Sequence, residues 1–371
     1  MTDAPNLLDF RVLHSGPCGA AEHMCLDEVI MEAIDRGESP NTVRFLRFPR
    51  CALVGLHQNT ALEVDVAYCR ENGVEINRRI TGGGALFCGQ AELGVEIYAV
   101  GVTPGFPADK TSLYRVMCQA LIRGLRKLGL NAAYRPVNDI EVNGRKIAGT
   151  SGGEVGDVLV FQCSLLVDFD VDEMLRVLRL PVEKLGDKAA ASFRERVTWI
   201  GRELEAIPER EVMEDALLDG LSESLDFRFS RGELSEEERT MLREKLPRFS
   251  SEKWILGENG GVIHTVDAFA NYKAPGGLIR VNVRLDRTLR RFMSVLITGD
   301  FIAYPPRFIH DLEVGLRTAT ADREAIAGVV AYFFRRHQAS LPGVSQEDLV
   351  AAMLAAVAKA RTAQGRSRDH P

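Results

Sequence analysis

The chain has 371 residues, 46% of them hydrophobic and 26% charged, with a formal charge of −6. That is an ordinary globular balance, long enough for two or three domains, and the acidic excess argues against a nucleic-acid partner. The apolar runs fall short of a membrane span and the opening MTDAPNLLDF lacks the basic-then-apolar pattern of a secretory leader, so a cytoplasmic monomer with no membrane partner is expected.

Residues 20–36 place Met24, Leu26, Val29, Ile30, Ala33 and Ile34 at helical spacing, which predicts an amphipathic helix. VRFLRF (43–48) and ALVGL (52–56) read as short strands parted by Pro49; residues 60–73 read as a helix stopped by Gly73, and VEINRRI as the next strand. The triplet Gly82-Gly83-Gly84 follows, and then the strand VEIYAV. The stretch 110–130 sets Leu113, Val116, Met117, Ala120, Leu121, Leu125 and Leu128 on one broad helical face. DIEVNG and RKIAGTSGG make a hairpin about Asn143-Gly144, and VLVFQCSLLVDFD reads as a core strand.

Strands outnumber helices up to about residue 170. The expected fold class is therefore α+β, a large first domain (1–210) on a mixed, mainly antiparallel sheet flanked by helices, rather than a doubly wound fold. Residues 211–253, which include SRGELSEEERTMLREKLPRFSSEK, read as a charged, exposed helical linker. From Trp254 strand signals return in VIHTVDAFANY, GLIRVNVRL and RFMSVLITGDF, followed by helices near 321–337 and 345–361. This gives a smaller α/β domain over 254–361, and the polar tail 362–371 is expected to fray. The seven cysteines, Cys18, Cys25, Cys51, Cys69, Cys88, Cys118 and Cys163, form no CxxC pair and read as reduced core thiols.

Arg78, Arg79 and Thr81 sit beside the glycine triplet. A tight turn is the simplest account, and one glycine suffices for it. Bare amides flanked by guanidinium forks also suit a phosphate or a carboxylate. The loop is neither a Walker loop nor a GxGxxG before a helix. Asp139 and Lys146 lie on opposite arms of the hairpin, with Gly149, Gly152 and Gly153 close behind. A lysine after a Gly-Arg turn is ordinarily a solvated charge. Taken with the first loop, the pair suits a nucleotide phosphate and its metal: Asp139 for Mg²⁺, Lys146 and Arg79 for charge developing in phosphoryl or nucleotidyl transfer.

NRRITGGGALF, VNDIEVNGRKIAGTS, EHMCLDEVIM, VGLHQN and LRLPVEKLGDKAAASFRERVTWI resemble, in order and spacing, the motifs of the lipoate–protein ligase A family, within the biotin ligase, lipoate ligase and octanoyltransferase superfamily. KAPGGLIRVNV and LITGDFIAYPPRFIHDLEVGL resemble that family's accessory domain, which some members carry on a separate polypeptide. The resemblance implies ATP-dependent activation of lipoate or octanoate to acyl-AMP. Transfer to a lysine of an acceptor protein follows: a lipoyl domain of a 2-oxo acid dehydrogenase, a glycine cleavage H protein or a sulfur-oxidation lipoate-binding protein.

It assigns the nucleotide to Arg79, Thr81, Gly82, Gly83, Gly84, Ala85, Leu86, Phe87, Asn138, Ala148, Gly149 and Thr150, Mg²⁺ to Asp139, and charge stabilisation in both half-reactions to Lys146. Apolar residues near Phe45 and Val54 would line an acyl tunnel. The accessory domain would close as a lid during adenylation and move to admit the acceptor. The chain also departs from the pattern. Cys88-Gly89 stands where the family commonly has His-Asp, His23 where it has Asn, and Gln162-Cys163-Ser164 where it has His-Gly-(Thr/Ser). These changes bear on substrate and acceptor preference, and a divergent subgroup tied to sulfur oxidation is one home for them.

Two other readings compete. An octanoyltransferase would use a catalytic cysteine and acyl carrier protein without ATP. The residues just upstream of the Lys146 hairpin, Arg135, Pro136, Val137 and Asn138, offer no thiol, whereas Cys163 lies nearer the position of another transferase class. A non-catalytic lipoyl-carrier binding protein would have little use for Arg79, Asp139 and Lys146 together. A biotin ligase is disfavoured because its GRGR-type loop is absent.

Overall fold

A computed structural model describes residues 8–136, 138–179, 194–257, 268–286, 290–317 and 319–365. Its strands are β1 (Asp9–Ser15), β2 (Thr42–Arg47), β3 (Cys51–Val54), β4 (Glu75–Arg78), β5 (Leu86–Cys88), β6 (Leu93–Val100), β7 (Ala132–Arg135), β8 (Asp139–Val142), β9 (Arg145–Val155), β10 (Val158–Leu165), β11 (Arg228–Arg231), β12 (Ala268–Ala274), β13 (Gly277–Asp286) and β14 (Arg291–Gly299). Eight of them form one sheet in the order β11–β1–β2–β6–β10–β9–β8–β7. β1 runs parallel to both β2 and β11, and the other pairings are antiparallel. A second sheet, β4–β3–β5, carries the glycine loop between β4 and β5. The expected mixed, mainly antiparallel α+β domain is therefore present.

Sequence pattern explains the layers. β10 sits between β6 and β9, and its near-continuous apolar run, VLVFQCSL, is buried at every residue except Ser164, as a central strand requires. The helix Lys110–Lys127 starts where the Asp109 carboxylate accepts from the amides of Thr111 and Ser112. Its apolar face joins the main core with Leu113, Met117, Leu121 and Leu125. The 60–73 segment is two short helices, Thr60–Glu63 and Val66–Glu71, because Val64 adopts an extended backbone and Asp65 caps the second helix through the amide of Tyr68.

The stretch 211–253, expected as an exposed linker, is built into the first domain. The helix Arg210–Leu225 packs on the helix Lys110–Lys127 through paired glycines: a Cβ at Gly124 would fall 2.4 Å from the carbonyl of Ala216, and one at Gly220 equally close to that of Ala120. β11 then extends the main sheet. The helix Glu236–Phe249, charged enough to mislead, is clamped by Arg11, whose guanidinium donates to both oxygens of the buried Glu238 at 2.6 and 2.8 Å. Trp254, expected to open the second domain, stacks edge-on against Phe249 at 4.8 Å and donates its indole N–H to the carbonyl of Arg78.

The smaller C-terminal domain is the antiparallel sheet β12–β13–β14 with helices Phe308–Leu316, Arg323–His337 and Gln346–Gly365 around its own apolar core. The first of these helices was not expected. The upstream half of VIHTVDAFANY and much of LRLPVEKLGDKAAASFRERVTWI lie outside the described residues.

Candidate active site

The expected hairpin forms, with Asn143 and Gly144 at φ 52° and 75°, the paired left-handed geometry of a two-residue turn. β8 and β9 thereby place Asp139 opposite Gly149, and Lys146 Nζ lies 2.6 Å from Asp139 Oδ1, both side chains partly open to solvent. Asn138 and Thr150 lock the same end. The Asn138 carbonyl accepts from the amide and the hydroxyl of Thr150, and the Asn138 side chain donates to the Thr150 carbonyl at 2.6 Å.

The glycine loop faces this hairpin across a cavity of about 570 Å³. Gly83 has φ +98°, a conformation that favours glycine, and with Gly84, Ala85, Leu86 and Phe87 it lines the space. Arg79 also reaches the wall, but it is 3% exposed. Its Nη atoms donate to the carbonyls of Leu53, Gly82 and Gly84 at 3.0, 3.2 and 2.8 Å. Burial lowers its pKa to about 10. Here Arg79 holds the loop rather than extending an open fork towards a phosphate. Three other expected ligands sit off the cavity wall. Thr81 is buried against Gln162, Gly82 packs against the backbone of Phe301 and Ile302, and Ala148 lies in the core.

The remaining lining falls into two chemical groups. Met24, Phe48, Leu53, Leu86, Phe87 and Leu166 are apolar; Asn138, Asp139, Lys146, Thr150, Lys273 and Asp300 are polar. Leu53 and Phe48, neighbours in sequence of Val54 and Phe45, line the cavity with Met24, while Val54 and Phe45 themselves lie in the core. Lys273, Pro275, Gly276, Gly277, Asp300, Ile302 and Pro342 come from the C-terminal domain, so the cavity is made by both domains.

A buried polar network reaches the cavity through Gln162, Ser151 and Glu96. Gln162 accepts from the hydroxyls of Thr81 and Ser151 at 2.6 and 3.2 Å, and its amide donates to Asp27 and Glu96 at 3.0 and 2.8 Å. Arg44, wholly buried, donates to Asp27 at 2.8 Å and Glu96 at 3.1 Å. Burial, then the neighbouring Glu96, raises Asp27 well above the usual carboxylate range. His23 bridges Arg44 and the Arg47 carbonyl, and burial with Arg44 lowers it to about 3. Thus His23 and Gln162, two of the departures from the family motifs, belong to one hydrogen-bonded unit that ends on the glycine loop. Besides those departures, the signal in the sequence was the charge of Arg44 and Glu96 inside β2 and β6.

An open hairpin lysine with a carboxylate partner, a glycine loop and an apolar lining thus share one cavity. Residues 19–222 match the lipoyl protein ligase A/B catalytic domain, and the chain belongs to that family. It is 31% identical to the octanoyltransferase LipM of Kyrpidia tusciae, over 66% of this chain and 97% of the relative. A bi-partite lipoate protein ligase of Thermoplasma acidophilum, described with its E2 lipoyl domain, superposes with TM-score 0.59 at 30% identity, covering 67% of this chain and 96% of that one. Lipoate-protein ligase A bound with ATP gives 0.58 at 27% identity, with 67% and 98% covered. Plasmodium falciparum LipL1 in complex with lipoate shares the fold over more of the molecule, with TM-score 0.70 at 15% identity, 89% of this chain and 98% of that one.

Proposed function

We propose that the chain is an ATP-dependent lipoate–protein ligase. It would activate lipoate or octanoate as acyl-AMP and pass the acyl group to a lysine of an acceptor such as a lipoyl domain. The observation that carries this reading is the Lys146–Asp139 pair facing the glycine loop across one cavity. The ATP-bound and lipoyl-domain relatives support it. A free acid acylates poorly because its leaving group is bad, and adenylation supplies a good one. Lys146 would lie against the carbonyl and α-phosphate oxygens, where negative charge grows in both half-reactions. In the second, the acceptor amine forms a C–N bond as the C–O bond to AMP breaks, and the amine proton leaves to solvent.

The donor chemistry fits Mg²⁺ only in company. Among the described residues no cluster of three His, Cys, Asp or Glu could hold a metal, and Asp139 offers one carboxylate to an ion that also takes phosphate oxygens and water. Mg²⁺, arriving with ATP, would neutralise phosphate charge there.

A second reading, octanoyl transfer from acyl carrier protein, rests on the similarity to LipM and on Cys163, the one cysteine among the described residues lining the cavity. Cys163 is 6% exposed and burial pushes its thiol well up, away from the thiolate that attacks. The deciding assay supplies a lipoyl domain with either lipoate, ATP and Mg²⁺ or octanoyl-acyl carrier protein alone. The ligase reading expects product with pyrophosphate release in the first tube and none in the second; efficient transfer in the second overturns it.

A further inference from the structure

The cavity wall supplied by the C-terminal domain carries a cation with no assigned role, Lys273. It is exposed at the end of β12 and lines the cavity. Its ammonium has no hydrogen-bond or ion-pair partner among the described residues. Its direction follows from register. Lys273 is paired with Leu278 of β13, and cross-strand partners share a face. Arg280, two residues further along β13, therefore lies on that face, and it is ion-paired with Glu63 of the first domain. The face that bears Lys273 is thus turned towards the catalytic domain.

The position is also anchored to the glycine loop. The Gly83 amide donates to the Phe301 carbonyl at 3.0 Å, and the Gly299 amide to the carbonyl of His57 at 3.1 Å. The His57 ring stacks on that of Phe301 at 5.4 Å. Asp300, beside Phe301, accepts from the amide of Leu278, the residue paired with Lys273. A chain of contacts therefore runs from the glycine loop through Phe301, Asp300 and Leu278 to Lys273.

Charge matching suggests a role for this cation. Arg79 is spent on three carbonyls, and Lys146 is already paired with Asp139. A nucleoside triphosphate brings several negative charges, more than those two groups can offset; of the other two cations that line the cavity, Arg135 sits at the hairpin end opposite Asp139, and Lys273 comes from the C-terminal domain. On the ligase reading above, we infer that Lys273 binds the β- and γ-phosphates of ATP and so stabilises pyrophosphate as leaving group. In that step a carboxylate oxygen of the acyl substrate forms a bond to the α-phosphorus. The bond from that phosphorus to the bridging oxygen breaks, and pyrophosphate departs with the electron pair. The C-terminal domain then serves adenylation by contact with a group that is gone before acyl transfer begins.

The test uses the full chain and its Lys273→Gln and Lys273→Arg variants. Affinity for Mg²⁺-pyrophosphate and for AMP is measured by calorimetry, alongside adenylation and transfer from synthetic lipoyl-AMP. Losing one charge-assisted contact should weaken pyrophosphate binding and raise the KM for ATP by about 10- to 100-fold in Lys273→Gln. AMP affinity and transfer from lipoyl-AMP should change less than about twofold, and Lys273→Arg should recover most of the loss. Unchanged pyrophosphate affinity in Lys273→Gln overturns the inference, as do equal losses for AMP and pyrophosphate. If the unmodified chain releases no pyrophosphate from ATP and lipoate, the ligase reading fails first and the inference with it; if it does and Lys273→Gln matches it, only the inference fails.

Discussion

Arg79 and Lys146 are cations beside glycine-rich segments on facing walls of one cavity, and a reader of the sequence gives them the same task. In the fold they are opposites. Arg79 is buried, its Nη atoms turned onto three backbone carbonyls and its Nε left without a partner. Lys146 is open to the cavity, with a single carboxylate at 2.6 Å. A group whose donors are consumed by its own scaffold shapes the site; one held by a single exchangeable partner is free to meet developing charge. The motif therefore contains two functions that its one-dimensional spelling merges.

Replacing each in turn breaks that comparison most directly. Arg79→Ala leaves the carbonyls of Leu53, Gly82 and Gly84 without their donor, and each unmade bond costs about 1–3 kcal/mol. A stability loss of roughly 4 kcal/mol is expected, read as a lower urea midpoint, with binding and activity falling together. A variant of full stability that has lost only ATP affinity would restore Arg79 to the role of a direct phosphate ligand. Lys146→Ala should do the reverse. Removing one preorganised cation from the transition state costs roughly 3 kcal/mol, or about 100-fold in rate, while the unfolding midpoint stays close to that of the unmodified chain. Full activity in Lys146→Ala would dissolve the contrast.

The third perturbation lies between the two in character. Gln162 uses both ends of its amide, accepting from Thr81 and Ser151 and donating to Asp27 and Glu96. Gln162→Leu strands those buried partners at a cost of about 2 kcal/mol. Because Thr81 precedes the glycine triplet, the KM for ATP should rise along with the loss of stability. A KM that does not move would detach the network from the loop and leave it as core alone.

Legibility followed how local each feature was. The hairpin that presents Lys146 was readable because Asn143-Gly144 specifies its own turn. The strands β2, β3, β4, β6 and β10 were readable from local alternation and apolar runs, whereas β1, β5, β7 and β11 were not read as strands. The integration of 211–253 was not. Its surface charge is real, and what seats it is the pairing of Gly124 with Gly220 and the burial of Glu238 by Arg11, contacts between residues about 100 and 230 positions apart. Gln162 was visible only as a departure from a motif. Its four partners come from the first helix, the glycine loop, β6 and β9, which no window of sequence places together. Lys273 was quoted within a motif, and only the β12–β13 register turned it towards the cavity.

The smallest expected effect belongs to Cys163, and it decides which kind of residue that thiol is. Cys163 lines the cavity and pairs with Thr150 across β9 and β10. It lies 6% exposed, and burial holds its thiol far from ionisation despite the pull of Lys146. In a ligase it is packing. Cys163→Ser trades a soft buried atom for a hydroxyl that needs a partner, which costs about 1 kcal/mol of stability. Lipoylation with lipoate and ATP should remain within about threefold of the unmodified chain, since one such contact is worth little to the barrier. In a thiol-dependent octanoyltransferase the same change removes the nucleophile, because serine would need an activating base. No histidine is among the described residues lining the cavity. A loss of a hundredfold or more in Cys163→Ser, with its unfolding midpoint intact, would therefore move the chemistry from Lys146 to the opposite strand.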